Sequence, residues 1–264
     1  SLEQPKNGGR VMKNSLNSYA DHAPKPTWID DFFDGGKWFF STHRLGPMQI
    51  SIFKKFLTNA GLIVKEETTP FYDLVKKLGG NSDVAWGLIY TNLAYSNVQI
   101  KWYIDNMKIQ EAYARNSLEE ILKSEGVSDK DARSIMKAFK RLTETPLGTA
   151  LHFGTTSGKS VETLTRTKCI LQDDRVLLYA LYRYAEACQD YYEFSLTRLM
   201  NTGIDSAGIS PVKLFGFTED EMIIMLNGLS AKYPALINVT FTHGLDKISL
   251  REDKTSNDVL KMFS

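Results

Sequence analysis

Histidine and cysteine side chains could bind a metal or act as nucleophiles, but their spacing in this chain favours neither role. The four histidines stand far apart, without the short separations of a metal site: His22, His43, His152 and His243. Two cysteines, Cys169 and Cys188, are too few for a disulfide framework or an iron–sulfur cluster. Cys169 lies in a predicted strand and Cys188 in a predicted helix, so we expect both to be packing residues. The sequence thus predicts no catalytic residue, no bound metal and no cofactor in this chain.

A segment that looks like a phosphate-binding loop, FGTTSGKS, covers residues 153–160. Phosphate loops have the pattern G-x-x-x-x-G-K-S between a strand and a helix, so that backbone N–H groups and the helix dipole meet the phosphate. Phe153 stands where the first glycine is required, and the following VETLTRT is typical of a strand. We therefore interpret the segment as the loop of a β-hairpin.

A polar segment, STHR at residues 41–44, is the best candidate for a small ligand site. It is followed by Gly46 and lies between apolar stretches, and its His43 and Arg44 could bind a phosphate or another ligand. The alternative is a capped turn, in which the side chains bond to nearby backbone groups. His43 and Arg44 are the predicted ligand-binding residues if the chain has such a site.

Basic residues could bind nucleic acid only as a local patch, because the formal net charge is +1 at pH 7. The helix predicted over residues 129–143 has a basic side opposite an apolar one, and the helix predicted over residues 48–59 carries two adjacent lysines. A basic stripe can contact phosphates, or it can be an ordinary solvated face. The candidate contacts with duplex DNA are Lys54, Lys55, Arg133, Lys137, Lys140 and Arg141.

The fold that must position these candidates is centred on residues 83–107, the most apolar and aromatic stretch of the chain. With Asn81 or Ser82 as a cap, residues 83–95 form a predicted helix that is apolar nearly all round. Ser96 and Asn97 interrupt it, and residues 98–106 continue as a second predicted helix. A helix that is apolar on every side lies in the middle of a core.

Two regions have the element order of a winged helix. In the first, the predicted helix over residues 48–59 is followed by Gly61 and a short apolar segment at residues 62–64. In the second, a predicted helix over residues 219–232 precedes a β-hairpin of residues 236–242 and 247–251. That helix begins at a capping box, Thr218 and Glu221. Any helix–turn–strand unit is the alternative for the first region.

The fold class that follows is mainly α (α+β), with two helical subdomains and small β-hairpins, winged-helix-like. Residues 1–36 are rich in Gly, Pro, Asn and Asp and are predicted as a linker or extended tail. Residues 37–146 are the predicted N-terminal subdomain, beginning with a short strand at residues 37–40, and residues 147–264 are the C-terminal subdomain. No apolar run reaches the roughly 18 residues of a membrane span.

From about residue 33 to residue 263 the sequence resembles the C-terminal region of bacterial proteins of the phosphoadenosine phosphosulfate (PAPS) reductase family. The segments that carry the resemblance are GGKWFFSTHRLGPMQISIFKKFL, WGLIYTNLAYSNVQIKWYIDNM, ETPLGTALHFGTT, YYEFSLTRLM and REDKTSNDVLKMF. The chain is also similar to a domain family of unknown function that accompanies such proteins, some of them in DNA sulfur-modification systems. The family's S-G-G-K-D-S pyrophosphate loop and cysteine motif are missing from this sequence. We therefore assign none of the reductase family's functional residues to this chain.

This resemblance implies a non-catalytic accessory or interaction domain of a PAPS reductase-like protein, with the reductase-like catalytic domain as its partner. The low cysteine count fits a cytoplasmic location. Two alternatives stay open. The chain could be a winged-helix DNA-binding module with duplex DNA as its partner, or part of a sulfonucleotide oxidoreductase whose catalytic residues lie outside this chain. We expect no membrane partner. Binding to DNA should weaken steeply with salt, which separates the first alternative from the accessory role.

Overall fold

Helices make up most of the structure, a computed structural model that describes residues 16–203, 207–242 and 244–263. The first half contains α1 (Pro26–Gly35), α2 (Phe39–Thr42), α3 (Pro47–Asn59), β1 (Ile63–Val64), β2 (Glu67–Thr68), α4 (Pro70–Leu78), α5 (Asp83–Ser96), α6 (Val98–Asn106), β3 (Glu111–Ala114), α7 (Arg115–Ser124) and α8 (Asp129–Glu144). The second half contains α9 (Pro146–Thr149), β4 (Gly154–Ser157), β5 (Thr163–Arg166), α10 (Arg175–Ala187), β6 (Glu193–Phe194), α11 (Leu196–Met200), α12 (Pro211–Phe215), α13 (Glu219–Lys232), β7 (Ile237–Thr242), β8 (Leu245–Leu250) and α14 (Ser256–Leu260). This architecture confirms the predicted fold class, mainly α with α+β character. None of the helices in the described part of the chain is long and apolar enough to cross a membrane.

The central pair of helices, α5 and α6, forms as predicted. The Ser82 hydroxyl accepts from the backbone N–H of Ala85, 3.1 Å away, and so caps α5. Asn97 ends α5 and caps α6, because its side-chain oxygen accepts from the backbone N–H of Ile100 at 3.0 Å. Residues 85–94 are buried on every side of the helix. An unbroken run of buried residues means that neighbours surround α5, as expected for the centre of a core.

The close approach of α10 to α5 depends on a glycine. A Cβ atom on Gly87 would lie 2.8 Å from a methyl group of Val176 and 2.7 Å from one of Leu171, closer than packed carbon atoms allow. The helices are also joined by a buried hydrogen bond of 2.5 Å from the Tyr179 hydroxyl to the side-chain oxygen of Asn92. The first and second halves of the chain therefore share one interior at this contact.

The N-terminal segment is folded from residue 16 onward, and the expectation of a linker or extended tail is wrong for that part. Pro26 at the first position opens α1, which buries Trp28, Ile29, Phe32 and Phe33 on one face. The predicted strand at residues 37–40 is also wrong, because Gly36–Trp38 is a 3-10 helix and Phe39–Thr42 is helical. Residues 1–15 lie outside the described residues.

Three units of the chain have the element order of a winged helix. The first, residues 26–68, has three helices followed by the hairpin β1–β2. The middle unit, residues 98–166, runs α6, β3, α7, α8, α9, β4, β5, and its sheet order is β3–β5–β4. The third unit, residues 175–250, runs α10, β6, α11, α12, α13, β7, β8, with the matching sheet order β6–β8–β7. In each unit the last long helix before the hairpin occupies the position of a recognition helix: α3, α8 and α13. In the middle unit the four-residue α9 lies between that helix and the hairpin.

The middle unit crosses the predicted subdomain boundary between residues 146 and 147. Its strand β3 comes from the first predicted subdomain and pairs with β5 from the second, with Glu111 opposite Arg166. The boundary itself falls inside α9. The division into two subdomains stays a prediction, and the buried apolar residues form one cluster from Leu16 to Phe263.

Candidate functional site

The basic stripe lies on the exposed face of α8. Lys130, Arg133 and Lys137 are exposed and Lys140 is partly exposed, at spacings of three, four and three residues. Such spacings place side chains on one side of a helix. The opposite side is buried in the core and includes Ala132, Ile135, Met136, Phe139 and Leu142. Ser128 caps the helix, because its hydroxyl accepts from the backbone N–H of Asp131 at 3.1 Å.

Residues 16–23, which we call the N-terminal strap, lie between α3 and α8. Lys55 on α3 donates to the backbone carbonyl of Ser18 at 3.1 Å. On the other side, the Lys137 ammonium is 3.8 Å from the carboxylate of Asp21, and Arg141 donates to the Asp21 carbonyl at 2.7 Å. The strap thus brings the two predicted groups of basic residues to one region of the surface.

Arg141 has a packing role that its position in the stripe did not reveal. Its guanidinium lies over the indole ring of Trp28, 5.1 Å from the ring centroid, while Trp28 is almost fully buried. Partial burial lowers the pKa of Arg141 from its ordinary value, and the carboxylates of Glu144 and Asp21 oppose that shift. This side chain fixes the strap and α1 onto α8.

Lys54 also contacts groups within the protein. Its ammonium forms an ion pair with the carboxylate of Glu66 in the turn of the first hairpin, and it lies 5.5 Å from the ring centroid of Phe40. The nucleic-acid role of Lys54 and Lys55 stays a prediction, as does that of Arg133, Lys137, Lys140 and Arg141.

The segment that resembled a phosphate loop, residues 153–160, belongs to a β-hairpin as predicted, and forms strand β4 and the start of the turn to β5. Thr155 pairs with Thr165, and the turn between the strands includes Gly158 at φ 77° and the exposed Lys159. No helix N-terminus follows it, because β5 begins at Thr163. This hairpin is the wing of the middle unit. Lys140 of α8 donates to the backbone carbonyl of Lys159 at 2.7 Å, so helix and wing are in direct contact.

His43 and Arg44 lie after α2 beside an open hollow of about 650 Å³. The backbone N–H of Leu45 donates to Nδ1 of His43 at 3.2 Å, which is the local bond of a capped turn. Two carboxylates, Asp31 and Asp34, line the same hollow. Phosphate or ligand binding by His43 and Arg44 stays a prediction.

The cysteines and histidines are not grouped. Within the described ranges there is no cluster of three or more His, Cys, Asp or Glu that could hold a metal, and His243 lies outside them. Cys169 is buried and Cys188 partly buried, both as free thiols. Burial raises the pKa of the Cys169 thiol to about 12, with the Arg166 charge opposing the shift. A thiol with this pKa is a poor nucleophile near neutral pH.

Arg166 is a buried polar residue that the sequence reasoning missed. It is 3% exposed, and its guanidinium donates to four backbone carbonyl groups, two in or just after α6 and two in α12. Carbonyl groups near helix C-termini carry partial negative charge and lack partners within the helix, so a buried cation satisfies them. This residue joins the middle unit to the third.

On the recognition helix and hairpin, the first and third units expose apolar side chains, whereas the middle unit exposes cations. In the first, Met48 on α3 is 60% exposed and Val64 in the hairpin is 65% exposed. In the third, Ile224 on α13 and Leu245 in the hairpin are each 72% exposed. Because water contact with large apolar groups is unfavourable, exposed apolar residues on both the helix and the hairpin of one unit are candidates for a protein contact surface.

Comparison with known proteins finds a similar fold but no matching family. No protein-family model matches the chain, and no curated protein matches it. The crystal structure of a protein named SspB has a similar fold, with a TM-score of 0.66 and 12% sequence identity. The alignment covers 96% of this chain and 89% of SspB. At this level of identity, the similarity shows the fold alone.

Proposed function

We propose that this chain is a non-catalytic accessory domain that docks on a PAPS reductase-like catalytic domain acting in sulfonucleotide or DNA sulfur-modification chemistry. The family resemblance of the sequence supports this partner. Reduction would take place on the partner, in a reducing cytoplasm where Cys169 and Cys188 stay as free thiols. The raised pKa of Cys169 argues against a nucleophilic thiolate in this chain.

The observation that carries the proposal is the exposure of apolar side chains at the recognition positions of the first and third units. On the third unit, Ile224 and Leu245 stand on the two elements, helix and hairpin, with which winged helices contact their ligands. An apolar pair at those positions suits a protein surface better than a phosphate backbone.

Co-purification with a reductase-like domain tests the proposal. We expect a stable complex that is weakened at least tenfold by Ile224→Arg combined with Leu245→Arg. Ile170→Arg is the matched control, because Ile170 is 46% exposed but lies outside all three units. The chain alone should not turn over PAPS. A complex that tolerates the double variant, or turnover by the chain that is abolished in Cys169→Ser or Cys188→Ser, would contradict the proposal.

Duplex DNA binding is a second candidate function, favoured by the basic row on a helix at a recognition position. Each phosphate that the protein neutralises should add about 0.9 to the slope of log affinity against log salt concentration. Fluorescence anisotropy with a labelled duplex at several salt concentrations measures this slope. Lack of binding at 50 mM salt would reject this second candidate and leave the accessory role untouched.

A further inference from the structure

We infer that DNA contact belongs to the middle winged-helix unit alone, with α8 in the major groove and the β4–β5 wing on the neighbouring backbone. This inference rests on the second candidate function above. It adds Lys159 to the contact surface and removes Lys54, Lys55 and Arg141 from it.

The length of the basic row on α8 fits the major groove. Lys130 and Lys140 are ten residues apart, which corresponds to about 15 Å along a helix. The major groove of B-DNA is about 12 Å wide. A helix inserted there can therefore reach phosphates on both strands from the two ends of the row. Arg133 and Lys137 lie between, where their side chains can reach phosphates.

The wing supplies a further cation beside that row. Strand pairing from Gly154 opposite Arg166 to Ser157 opposite Thr163 holds the hairpin in register. The Lys140–Lys159 hydrogen bond of 2.7 Å joins the turn to α8 through the Lys159 backbone carbonyl. Because that bond uses only the carbonyl, the exposed Lys159 side chain is left to meet a phosphate on the strand flanking the groove.

Asp21, Asp129 and Asp131 near α8 leave the row open to a phosphate. Glu119 and Glu162 line the same hollow as Arg133, and Glu119 is paired with Arg115. The pair between Lys137 and Asp21 is 3.8 Å long, and its side chains are 62% and 48% exposed, so a phosphate can displace it at little cost. Asp129 lies 3.4 Å from the Lys123 ammonium, and Asp131 accepts from the Asn17 side chain at 3.1 Å. Both carboxylates stand in the first turn, where the helix dipole favours them.

The other two recognition helices lack a comparable row. The exposed positions of α3 carry Pro47, Met48, Ser51, Lys55 and Thr58, and Lys54 is partly exposed. Lys55 is bonded to the N-terminal strap and Lys54 is paired with Glu66. The exposed positions of α13 carry Glu219, Asp220, Ile224, Asn227, Ala231 and Lys232, so its one exposed cation stands at the C-terminal end. A carboxylate and an isoleucine facing a phosphate backbone oppose binding. Of the three units, the middle one therefore has the charge that duplex DNA requires.

Charge reversals at four places in the full chain test this assignment by anisotropy titration of a labelled 20-base-pair duplex. The row variant combines Lys130→Glu, Arg133→Glu and Lys137→Glu. The wing variant is Lys159→Glu, and the first-unit variant combines Lys54→Glu with Lys55→Glu. The control variant changes charge as much as the row variant but outside all of these surfaces, by Lys77→Glu, Lys232→Glu and Lys254→Glu.

We expect the row variant to lose at least about tenfold in affinity at low salt and its salt slope to fall by about 3, since three phosphate contacts are removed. The wing variant should lower the slope by about 1. The control variant should bind within about twofold of wild type, and the first-unit variant should bind within about twofold of the control. Circular dichroism melting checks folding, and Arg133→Gln with Lys137→Gln repeats the test with a smaller change.

The outcomes distinguish failure of the DNA-binding candidate from failure of its assignment to the middle unit. If wild type does not bind duplex DNA at 50 mM salt, the DNA-binding candidate itself is rejected. If wild type binds, and the row and wing variants bind like the control while the first-unit variant does not, DNA binding stands and its assignment to the middle unit is wrong.

Discussion

The guanidinium of Arg141 lies 5.1 Å above the indole ring of Trp28, on the side of α8 that faces the N-terminal strap. The same group donates to the carbonyl of Asp21 at 2.7 Å. This arrangement makes Arg141 part of the packing, whereas Arg133 on the same helix is exposed. Two arginines that look equivalent in the basic stripe should therefore differ in their effect on stability.

Arg141→Glu should lower the free energy of unfolding by about 2 kcal/mol, because it removes a cation–π contact and a charged hydrogen bond. Urea denaturation followed by circular dichroism measures this change as a shift in midpoint with constant m-value. Arg133→Glu is the control and should stay within about 0.5 kcal/mol of wild type. Equal stability of the two variants would show that the Arg141–Trp28 contact contributes little.

Trp86→Ala should lower the free energy of unfolding by roughly 3–5 kcal/mol, because the indole is fully buried in the central helix α5. The indole N–H also donates to the carbonyl of Gly80 at 2.6 Å. Trp38→Ala is the matched control, since Trp38 is 68% exposed and should change stability by about 0.5 kcal/mol or less. Thermal or urea unfolding measures both. If Trp86→Ala melts within a degree or two of wild type, α5 is not the centre of the core.

Arg166→Met should destabilise by at least about 2 kcal/mol, because carbonyl groups of α6 and α12 lose their buried donors. Arg166→Lys should recover only part of this, since an ammonium lacks the planar fork that reaches both helices. Arg251→Met, at a side chain that is 56% exposed, controls for the loss of an arginine and should be close to neutral. Unfolding midpoints in urea again give the comparison, and a neutral Arg166→Met would contradict the linking role.

Most helices could be predicted from the sequence because their signals are local. Thr218 and Glu221 form the predicted capping box, and Thr69 caps α4 by accepting from the backbone N–H of Tyr72 at 3.2 Å. The N-terminal helix α1 had a local signal too, with Pro26 at its first position and buried aromatics at helical spacing. The Gly- and Pro-rich composition around it outweighed that signal in the sequence analysis.

The middle unit could not be predicted, because its sheet depends on distant pairing. Glu111 lies opposite Arg166, 55 positions later, and strands of four residues carry no usable periodicity. The basic row on α8 was visible as a pattern, but its place at a recognition position follows only from that pairing.

The strand predicted at residues 37–40 is wrong because long-range packing decides the local structure there too. Phe39 is buried in a helix against Phe32 and Phe53, so packing overrode its strand propensity.

The buried thiol of Cys169 should make stability depend on pH in alkaline solution. Burial raises its pKa from an ordinary value of 9.0 to about 12. Between these values the unfolded chain has lost a proton that the native state retains, so the free energy of unfolding falls as pH rises, by about 1.4 kcal/mol per pH unit. The contribution is fully present below pH 9 and is lost as pH rises towards 12.

Cys169→Ala should remove this part of the dependence, so that between pH 9.5 and 11 its stability falls less steeply than that of wild type by about 1.4 kcal/mol per pH unit. In Cys169→Ala the free energy of unfolding should still fall with pH above pH 10, because burial also raises the pKa of the Tyr103 phenol above its ordinary value. Urea denaturation at several pH values measures the slopes, and Cys188→Ala controls for the loss of a thiol that is only partly buried. Parallel curves for wild type and Cys169→Ala would mean that the Cys169 thiol titrates alike in the folded and unfolded chains, and the account of its burial would be wrong.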